Sequence, residues 1–117
     1  MLPELPERLS TLLDLLKNRR SIRRYQPDPV PRELIEMVLE AAIWAPSAHN
    51  RQPWRFAVVE HEVTKERLAR AMGDRLRLDL KADGVPDEAI EKDAARSYSR
   101  MTGAPVLIAL CLSMTDM

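Results

Sequence analysis

The chain has 117 residues, of which 45% are hydrophobic and 31% charged, and this composition predicts one small globular domain with a modest core. Eighteen basic and eighteen acidic residues give a formal net charge of zero, which argues against a nucleic-acid-binding or membrane-surface protein. The single cysteine, Cys111, excludes an internal disulfide, and the N-terminus MLPELPERLS lacks the basic start and apolar stretch of a signal peptide. The apolar run VLIALCL is too short to span a bilayer. From these three observations together we expect a cytoplasmic protein.

The first half of the chain predicts two helices and a strand. Leucines at helical spacing predict a first helix over residues 6–18, and three prolines within residues 27–31 exclude a helix from the segment that follows. A second helix is predicted to begin at Pro31 and to end at Pro46. Its expected buried stripe consists of Leu34, Ile35, Val38, Leu39 and Ala42. The β-forming residues of RFAVVE, 55–60, predict the first strand.

The second half predicts two further helices and a buried strand. Thr64 is the expected cap of a helix over residues 64–83, and Gly84 is its expected end. The apolar face of this helix is predicted from residues that recur every four positions: Leu68, Met72, Leu76 and Leu80. Residues 85–103 predict a fourth helix, with Pro86 near its start and Gly103 past its end. The almost entirely apolar segment APVLIALCLS, 104–113, predicts a second strand that is covered on both faces.

The order α–α–β–α–α–β predicts an α/β (α+β) fold. Because helices connect the two strands, we expect the strands to form a parallel pair. Two strands make a small sheet. Either other chains complete the sheet, or the 117 residues are part of a longer domain.

The first candidate site is the segment RRSIRRY, residues 19–25. Four arginines lie in it, and residues 15–27 contain no acidic side chain. In an extended segment, Arg19, Ser21 and Arg23 would point to one side, where guanidinium groups suit the oxygens of a phosphate. A solvated basic loop, or a helix end whose carbonyls attract cations, is the alternative interpretation.

The second candidate site is APSAHNRQPWRF, residues 45–56. It carries more hydrogen-bonding side chains than a turn needs: Ser47, His49, Asn50 and Gln52. These groups could instead satisfy the backbone of the turn, and Trp44 and Trp54 are expected to pack against other residues. No metal site is predicted at His49, because the chain has only one other histidine and no cysteine cluster. Ser47 lacks the flanking glycines of a nucleophile elbow.

Taken together, the two motifs resemble the flavin-dependent nitroreductase family. RRSIRRY, a proline-rich gap, the helix RELIEMVLEAAIWA and then PSAHNRQPW before a strand match the N-terminal half of that family over about residues 16–60. APSAHNRQPWRF and the terminal APVLIALCLSMTDM are most similar to the flavin-binding domain associated with deazaflavin-cofactor glutamate ligases. The resemblance implies that residues 1–117 form a single, truncated nitroreductase-like domain that lacks the C-terminal half of the family domain.

The resemblance also implies a role for the basic segment. Arg19, Arg20 and Ser21 match positions that hold the phosphate and ribityl chain of FMN, and Ile22 belongs to the same binding segment. Arg23 matches the basic residue that faces the pyrimidine edge of the flavin, where a positive charge would stabilise the anion formed on reduction.

For the polar loop, the resemblance implies half of a binding wall. Pro46 and Ser47 match residues that cover the flavin of the partner subunit, and Asn50 lies near the same wall. The sites would therefore lie at the interface of a homodimer. Gln52, Pro53 and Trp54 are expected to fix the turn into the strand.

The family's chemistry implies hydride transfer from NAD(P)H through FMN to a small acceptor. It demands no side-chain acid or base, so we nominate no catalytic residue and no metal ligand. A truncated remnant or interaction module without cofactor binding or activity is the alternative function. A basic-loop nucleotide or nucleic-acid binder is a third hypothesis, against which the zero net charge and the acidic later helices argue.

Overall fold

The computed structural model describes residues 4–115. The first three residues of the N-terminal segment MLPELPERLS and the last two of APVLIALCLSMTDM lie outside the described residues. The elements follow the predicted order and are α1 (Glu4–Asn18), α2 (Arg32–Ile43), a short 3₁₀ turn (Ala48–Asn50), β1 (Trp54–Val59), α3 (Glu62–Ala82), α4 (Asp87–Gly103) and β2 (Leu107–Leu112). The mixed α+β class expected from the sequence is therefore confirmed.

The two ends of α3 are formed in different ways. The helix begins at Glu62, so the prediction that Thr64 caps it is wrong: His61 occupies the cap position, and its side chain makes no capping hydrogen bond. The predicted end is confirmed, because Gly84 adopts a φ of 79°. The N–H of Gly84 donates to the carbonyl of Lys81, and that of Val85 donates to Leu80, each at 3.1 Å. This pair of bonds is the Schellman arrangement, which satisfies the last carbonyls of the helix.

Helices α3 and α4 pack against each other as a hairpin through small side chains. The buried residues of α3 are Lys65, Ala69 and Gly73, and those of α4 are Ile90 and Ala94. Small residues allow two helix backbones to approach closely, which pushes larger side chains to the margins. For this reason the predicted stripe is wrong in its centre: Met72 is 51% exposed. The other members of that stripe are half-buried.

Strands β1 and β2 pair with each other in antiparallel orientation, so the predicted parallel pair is wrong. Val59 pairs with Leu107 at one end of the two-stranded sheet and Trp54 pairs with Leu112 at the other. The physical reason is the number of helices in the connection. Helix α3 carries the chain away from the end of β1 and α4 carries it back, so β2 starts beside Val59 and runs in the opposite direction. A single crossover helix would have returned the chain to the start of β1.

Several apolar faces that the sequence places in a core are exposed in the single chain. Within the predicted stripe of α2 only Ile35 is buried, whereas Leu34 and Val38 are 51% and 58% exposed. Leu39 and Ala42 are half-buried. The prediction that β2 is covered on both faces is also wrong, since Leu110 and Leu112 are 68% and 64% exposed. Neither the second face of β2 nor the outer side of α2 is packed against another element of residues 4–115.

Helix α1 extends this pattern. It buries none of its residues, and its leucines are at least half exposed. The predicted helix over residues 6–18 is confirmed, yet its apolar side contacts no neighbouring helix or strand extensively within the described part of the chain. The core of this chain therefore lies in the α3–α4 hairpin and where that hairpin meets the start of β2.

Candidate functional site

The basic segment that follows α1 is irregular and exposed. Residues 19–24 belong to no helix or strand, and all of them are exposed. Within residues 4–115, the four arginines of this segment make no ion pair with a carboxylate. Other arginines of the chain do: Arg70 lies 2.7 Å from Glu66, and Arg32 lies 2.9 Å from Glu36. The positive charge of the segment is therefore available to an anionic ligand.

Tyr25 fixes the far end of the basic segment. Its hydroxyl donates a hydrogen bond of 2.9 Å to the carbonyl of Ile22, which lies three residues earlier. The ring of Tyr25 borders a groove that is also lined by Met101, Pro105 and Ile108. The segment is thus attached near the junction of α4 and β2.

The polar loop between α2 and β1 is organised around Ser47. The N–H of Gln52 donates to the hydroxyl oxygen of Ser47 at 3.0 Å. The N–H of Asn50 donates to the carbonyl of Ser47, also at 3.0 Å, and that of Arg51 donates to the carbonyl of Ala48 at 3.2 Å. Ser47 therefore satisfies backbone groups of the turn, which was the alternative interpretation for this residue.

The backbone of the same loop adopts an unusual conformation. His49, Asn50 and Gln52 have φ angles of 52°, 52° and 50°, in the left-handed region. Asparagine and histidine adopt this region more often than other non-glycine residues, whereas for glutamine it is unfavourable. His49 and Asn50 were weak signals of this geometry in the sequence, and no glycine stands in the loop. The prediction from residue types alone therefore missed the left-handed turn.

The end of the polar loop is tied to the sheet. The carbonyl of Pro53 accepts a 2.7 Å hydrogen bond from the N–H of Ser113, just beyond β2. A guanidinium N–H of Arg55 donates to the carbonyl of Trp54 at 2.8 Å. These bonds give Pro53 and Trp54 the structural role expected of them, and Trp54 is half-buried. Trp44 is 81% exposed, so the expectation that it packs within the chain is wrong.

The two candidate segments are attached at opposite ends of the antiparallel β1–β2 pair. Tyr25 lies in the groove beside the start of β2, next to Leu107 and Ile108. The polar loop lies at the other end, where Trp54 pairs with Leu112. Five residue steps of about 3.4 Å separate these ends, or about 17 Å. In a single chain, the two candidate segments are thus anchored at opposite ends of the sheet.

A buried lysine was missed in the sequence because it lies in a charged stretch. The Lys65 ammonium donates to the carbonyl of Ala104 at 2.8 Å and to that of Pro105 at 3.4 Å, and it lies 3.9 Å from a carboxylate oxygen of Glu62. Lys65 is only 3% exposed. Its spacing of four and eight residues from Ala69 and Gly73 was the available signal. It joins α3 to the turn between α4 and β2.

A second polar cluster joins the helices of the same hairpin. Glu66 accepts hydrogen bonds from Arg70 at 2.7 Å and from the hydroxyl of Tyr98 at 3.3 Å. The hydrogen bond and the charge of Arg70 lower the pKa of Glu66, and the hydrogen bond from Tyr98 lowers this pKa further. In turn, the Glu66 carboxylate raises the pKa of Arg70. This cluster is largely exposed and lies on the α3–α4 hairpin, and neither candidate segment contributes a residue to it.

Two kinds of feature are absent from residues 4–115. No helix there is long and apolar enough to cross a membrane. No group of three or more histidine, cysteine, aspartate or glutamate side chains is placed to hold a metal ion.

Comparison with known proteins decides the family. A sequence model described as "Nitroreductase family" matches residues 16–116, which include both candidate segments. The chain belongs to the nitroreductase family. The resemblance drawn from the two motifs is thereby confirmed.

Relatives of this nitroreductase-family chain include a protein of Thermus thermophilus named NADH dehydrogenase. It is 58% identical over 53 residues, which are 45% of this chain and 26% of that protein. Two solved structures share the fold. Oxidized iodotyrosine deiodinase, bound to FMN and 3-iodo-L-tyrosine, gives a TM-score of 0.64 at 29% identity and covers 85% of this chain and 55% of its own. The FMN-dependent nitroreductase NfnB from Mycobacterium smegmatis, in complex with NADPH, gives a TM-score of 0.60 at 26% identity. The match covers all of this chain and 63% of the NfnB chain. The chain therefore spans less than two thirds of the length of each of these relatives.

Proposed function

We propose that this chain is the FMN-binding part of an oxidoreductase of the nitroreductase type. The observation that carries the proposal is the set of four exposed arginines in residues 19–24 that have no carboxylate partner within residues 4–115, in a segment that the family match includes. The cofactor of the two solved relatives described above, FMN, ends in a phosphate. When bound, FMN would supply hydride chemistry between NAD(P)H and a small acceptor.

The basic segment has the chemistry that the tail of FMN requires. Arg19 and Arg20 would bind the phosphate through guanidinium groups, and the Ser21 hydroxyl would bind the phosphate or the ribityl chain. Ile22 would present backbone groups in the same segment. Arg23 would lie at the pyrimidine edge of the flavin, where its charge stabilises negative charge that develops on reduction. The exposure of all five residues supports their access to a ligand.

The polar loop would supply the opposite wall of the site from a second copy of the chain. Pro46, Ser47 and Asn50 are the proposed wall residues. Two observations support a site shared between copies. The two segments are anchored at opposite ends of the antiparallel β1–β2 pair, and α1, α2 and β2 expose apolar faces that a second copy could cover. We therefore propose a homodimer with FMN at its interface.

A second candidate function is an interaction module that assembles but binds no cofactor. The observation that favours it is the exposed apolar surface, which is large for a chain of this size. The two proposals predict the same assembly, and they differ in whether FMN binds. FMN binding is therefore the property to measure.

A titration of the purified full chain with FMN, followed by the quenching of flavin fluorescence, tests the proposal. We expect a yellow complex whose colour is bleached by NADH or NADPH. Replacing Arg19→Ala should weaken FMN binding by about 1.5–3 kcal/mol, or roughly 10- to 150-fold, because a charge-assisted hydrogen bond is lost. Arg67→Ala is the matched control, since Arg67 is exposed on α3 and makes no ion pair within the described residues. A wild-type chain that takes up no FMN would refute the proposal.

A further inference from the structure

The hydroxyl of Ser47 is already engaged inside its own loop. Its oxygen accepts the N–H of Gln52 at 3.0 Å, across a span of five residues. Ser47 itself is extended, with φ −139° and ψ 154°, and it precedes the 3₁₀ turn Ala48–Asn50. The hydrogen bond therefore joins the two ends of the segment Ser47–Gln52, which lies inside the polar loop.

This bond closes a loop whose backbone is under strain. Three non-glycine residues between Ser47 and Pro53 have positive φ: His49, Asn50 and Gln52. Such conformations persist when surrounding interactions hold them in place. Gln52 is one of these residues, and its own backbone N–H donates the hydrogen bond to the Ser47 hydroxyl. Removal of the acceptor should therefore release the conformation of Gln52.

The same bond also connects α2 to the sheet. Gln52 precedes Pro53, whose carbonyl is bonded to Ser113 at the end of β2. Ser47 follows Pro46 and the end of α2, a helix in which Ile35 is the buried residue. Because α2 is held by so little packing within the described chain, the Ser47–Gln52 bond has a large share in fixing where Pro46 and Asn50 lie relative to β1.

We propose that Ser47 is a positioning residue: its hydroxyl holds the left-handed turn at residues 49–52 and so places Pro46 and Asn50 toward the FMN of the proposed site. This inference rests on the proposed function. It differs from direct recognition of FMN by the Ser47 hydroxyl, and the two can be separated by supplying the same backbone conformation in another way.

The experiment compares FMN dissociation constants for four forms of the full chain: wild type, Ser47→Ala, Gln52→Gly and the double variant. Ser47→Ala should weaken binding by about tenfold, because one hydrogen bond is lost. Glycine adopts positive φ without steric cost, so Gln52→Gly in the Ser47→Ala background should restore affinity to within about twofold of wild type. Gln52→Gly alone is the matched control and should bind FMN as wild type does. Ser47→Thr keeps the acceptor oxygen and suits the extended backbone, so it should bind FMN more tightly than Ser47→Ala.

Hydrogen exchange at the Gln52 amide gives a readout that does not depend on FMN. The amide should exchange more slowly in wild type and Ser47→Thr than in Ser47→Ala, with unchanged far-ultraviolet circular dichroism. A double variant that binds FMN as weakly as Ser47→Ala would overturn the inference, because the hydroxyl would then contact FMN itself. A Gln52 amide that exchanges at the same rate in wild type and Ser47→Ala would overturn it as well. If wild type binds no FMN, the proposed function fails, and the exchange data still test whether Ser47 holds the turn.

Discussion

At the scale of single residues, Lys65 shows how a charged group can be accommodated in a small core. Its ammonium is taken out of water and directed at two carbonyls that follow the last turn of α4, where the helix dipole favours positive charge. Replacing Lys65→Met keeps most of the side-chain volume but leaves the buried Ala104 carbonyl without its donor. We expect a loss of about 1–3 kcal/mol in the free energy of unfolding, measured by urea denaturation.

The control for this prediction is Lys92→Met. Lys92 is exposed on α4 and makes no ion pair within the described residues, so its replacement should change stability by less than about 0.5 kcal/mol. Equal urea midpoints for Lys65→Met and Lys92→Met would show that the buried lysine makes no specific contribution to the stability of the chain.

Glu66 gives a prediction for the dependence of stability on pH. Its folded-state pKa lies below the unfolded value of 4.5, because Arg70 and Tyr98 stabilise the carboxylate. The folded state therefore binds fewer protons in this range, and the contribution of Glu66 is present above about pH 4.5 and is lost as the pH falls through the folded pKa. The effect is small, because the group is exposed to water.

Thermal melting at a series of pH values checks this. Wild type should melt above Glu66→Gln near neutral pH, and the difference should shrink as the pH is lowered below about 4.5. Glu60→Gln, at an exposed position with no ion pair within residues 4–115, is the control and should show no such convergence. A difference between wild type and Glu66→Gln that stays constant down to acid unfolding would contradict the assignment.

At this scale, the sequence predicts which residues are chemically suited to the site better than it predicts their conformation. The run of arginines around Ser21 is a local pattern, so it can be read directly. The left-handed backbone at Gln52 accompanies a hydrogen bond that its own N–H donates to the Ser47 hydroxyl across the loop, and the residue preference of glutamine points away from this conformation. Lys65 was missed for a similar reason, since its partners lie about forty residues away in the chain.

At the scale of elements, two glycines of the α3–α4 hairpin should respond to alanine substitution in opposite directions. Gly73 lies inside α3, and a Cβ built there meets only Arg77 at 3.9 Å, an ordinary contact. Gly73→Ala should therefore stabilise the chain by about 0.5–1 kcal/mol, through helix propensity. Gly84 has φ 79°, so Gly84→Ala should destabilise it by about 1 kcal/mol.

The melting temperatures of Gly73→Ala and Gly84→Ala test these two expectations together. Because both variants make the same chemical change, each is the control for the other. The expected shifts have opposite signs. A decrease for Gly73→Ala would show that the two helices approach more closely at that residue than the structure indicates.

Element boundaries followed from local signals, whereas strand direction did not. Proline and glycine marked both ends of α2, both ends of α4 and the C-terminal end of α3 to within a few residues. The direction of β2 depends on how many helices intervene and on whether they pack as a hairpin. That packing buries Ala69, Gly73 and Ala94, small residues that give a weak periodic signal, so the apolar pattern alone favoured the leucine stripe.

At the scale of the whole molecule, the chain exposes more surface than a compact domain of its size. Its accessible surface is 10197 Å², against roughly 6,500 Å² expected for a folded monomer of this mass. Its radius of gyration is 18.6 Å, against about 13 Å expected for a domain of this length. The excess surface includes the leucines of α1 and the outer faces of α2 and β2.

Exposed apolar surface of this extent is typical of an interface or of an aggregation-prone state. We therefore expect the isolated chain to be oligomeric or poorly soluble, as measured by size-exclusion chromatography with light scattering. Replacing Leu12→Glu on the exposed apolar side of α1 should shift the chain toward smaller species, whereas Thr11→Glu on the same helix should do so less. A clean, heat-stable monomer of the wild type would contradict this expectation.

The central claim is that two copies of the chain hold FMN between them. Sedimentation velocity of the full chain with FMN, followed at the visible absorbance of the flavin, tests this claim most directly. We expect the flavin to sediment with a species of twice the mass of the chain, and Arg19→Ala to return the flavin to the slow boundary of the free small molecule. Flavin that remains at that slow boundary with the wild-type chain, or that travels with a single copy, would show that two copies do not hold FMN between them.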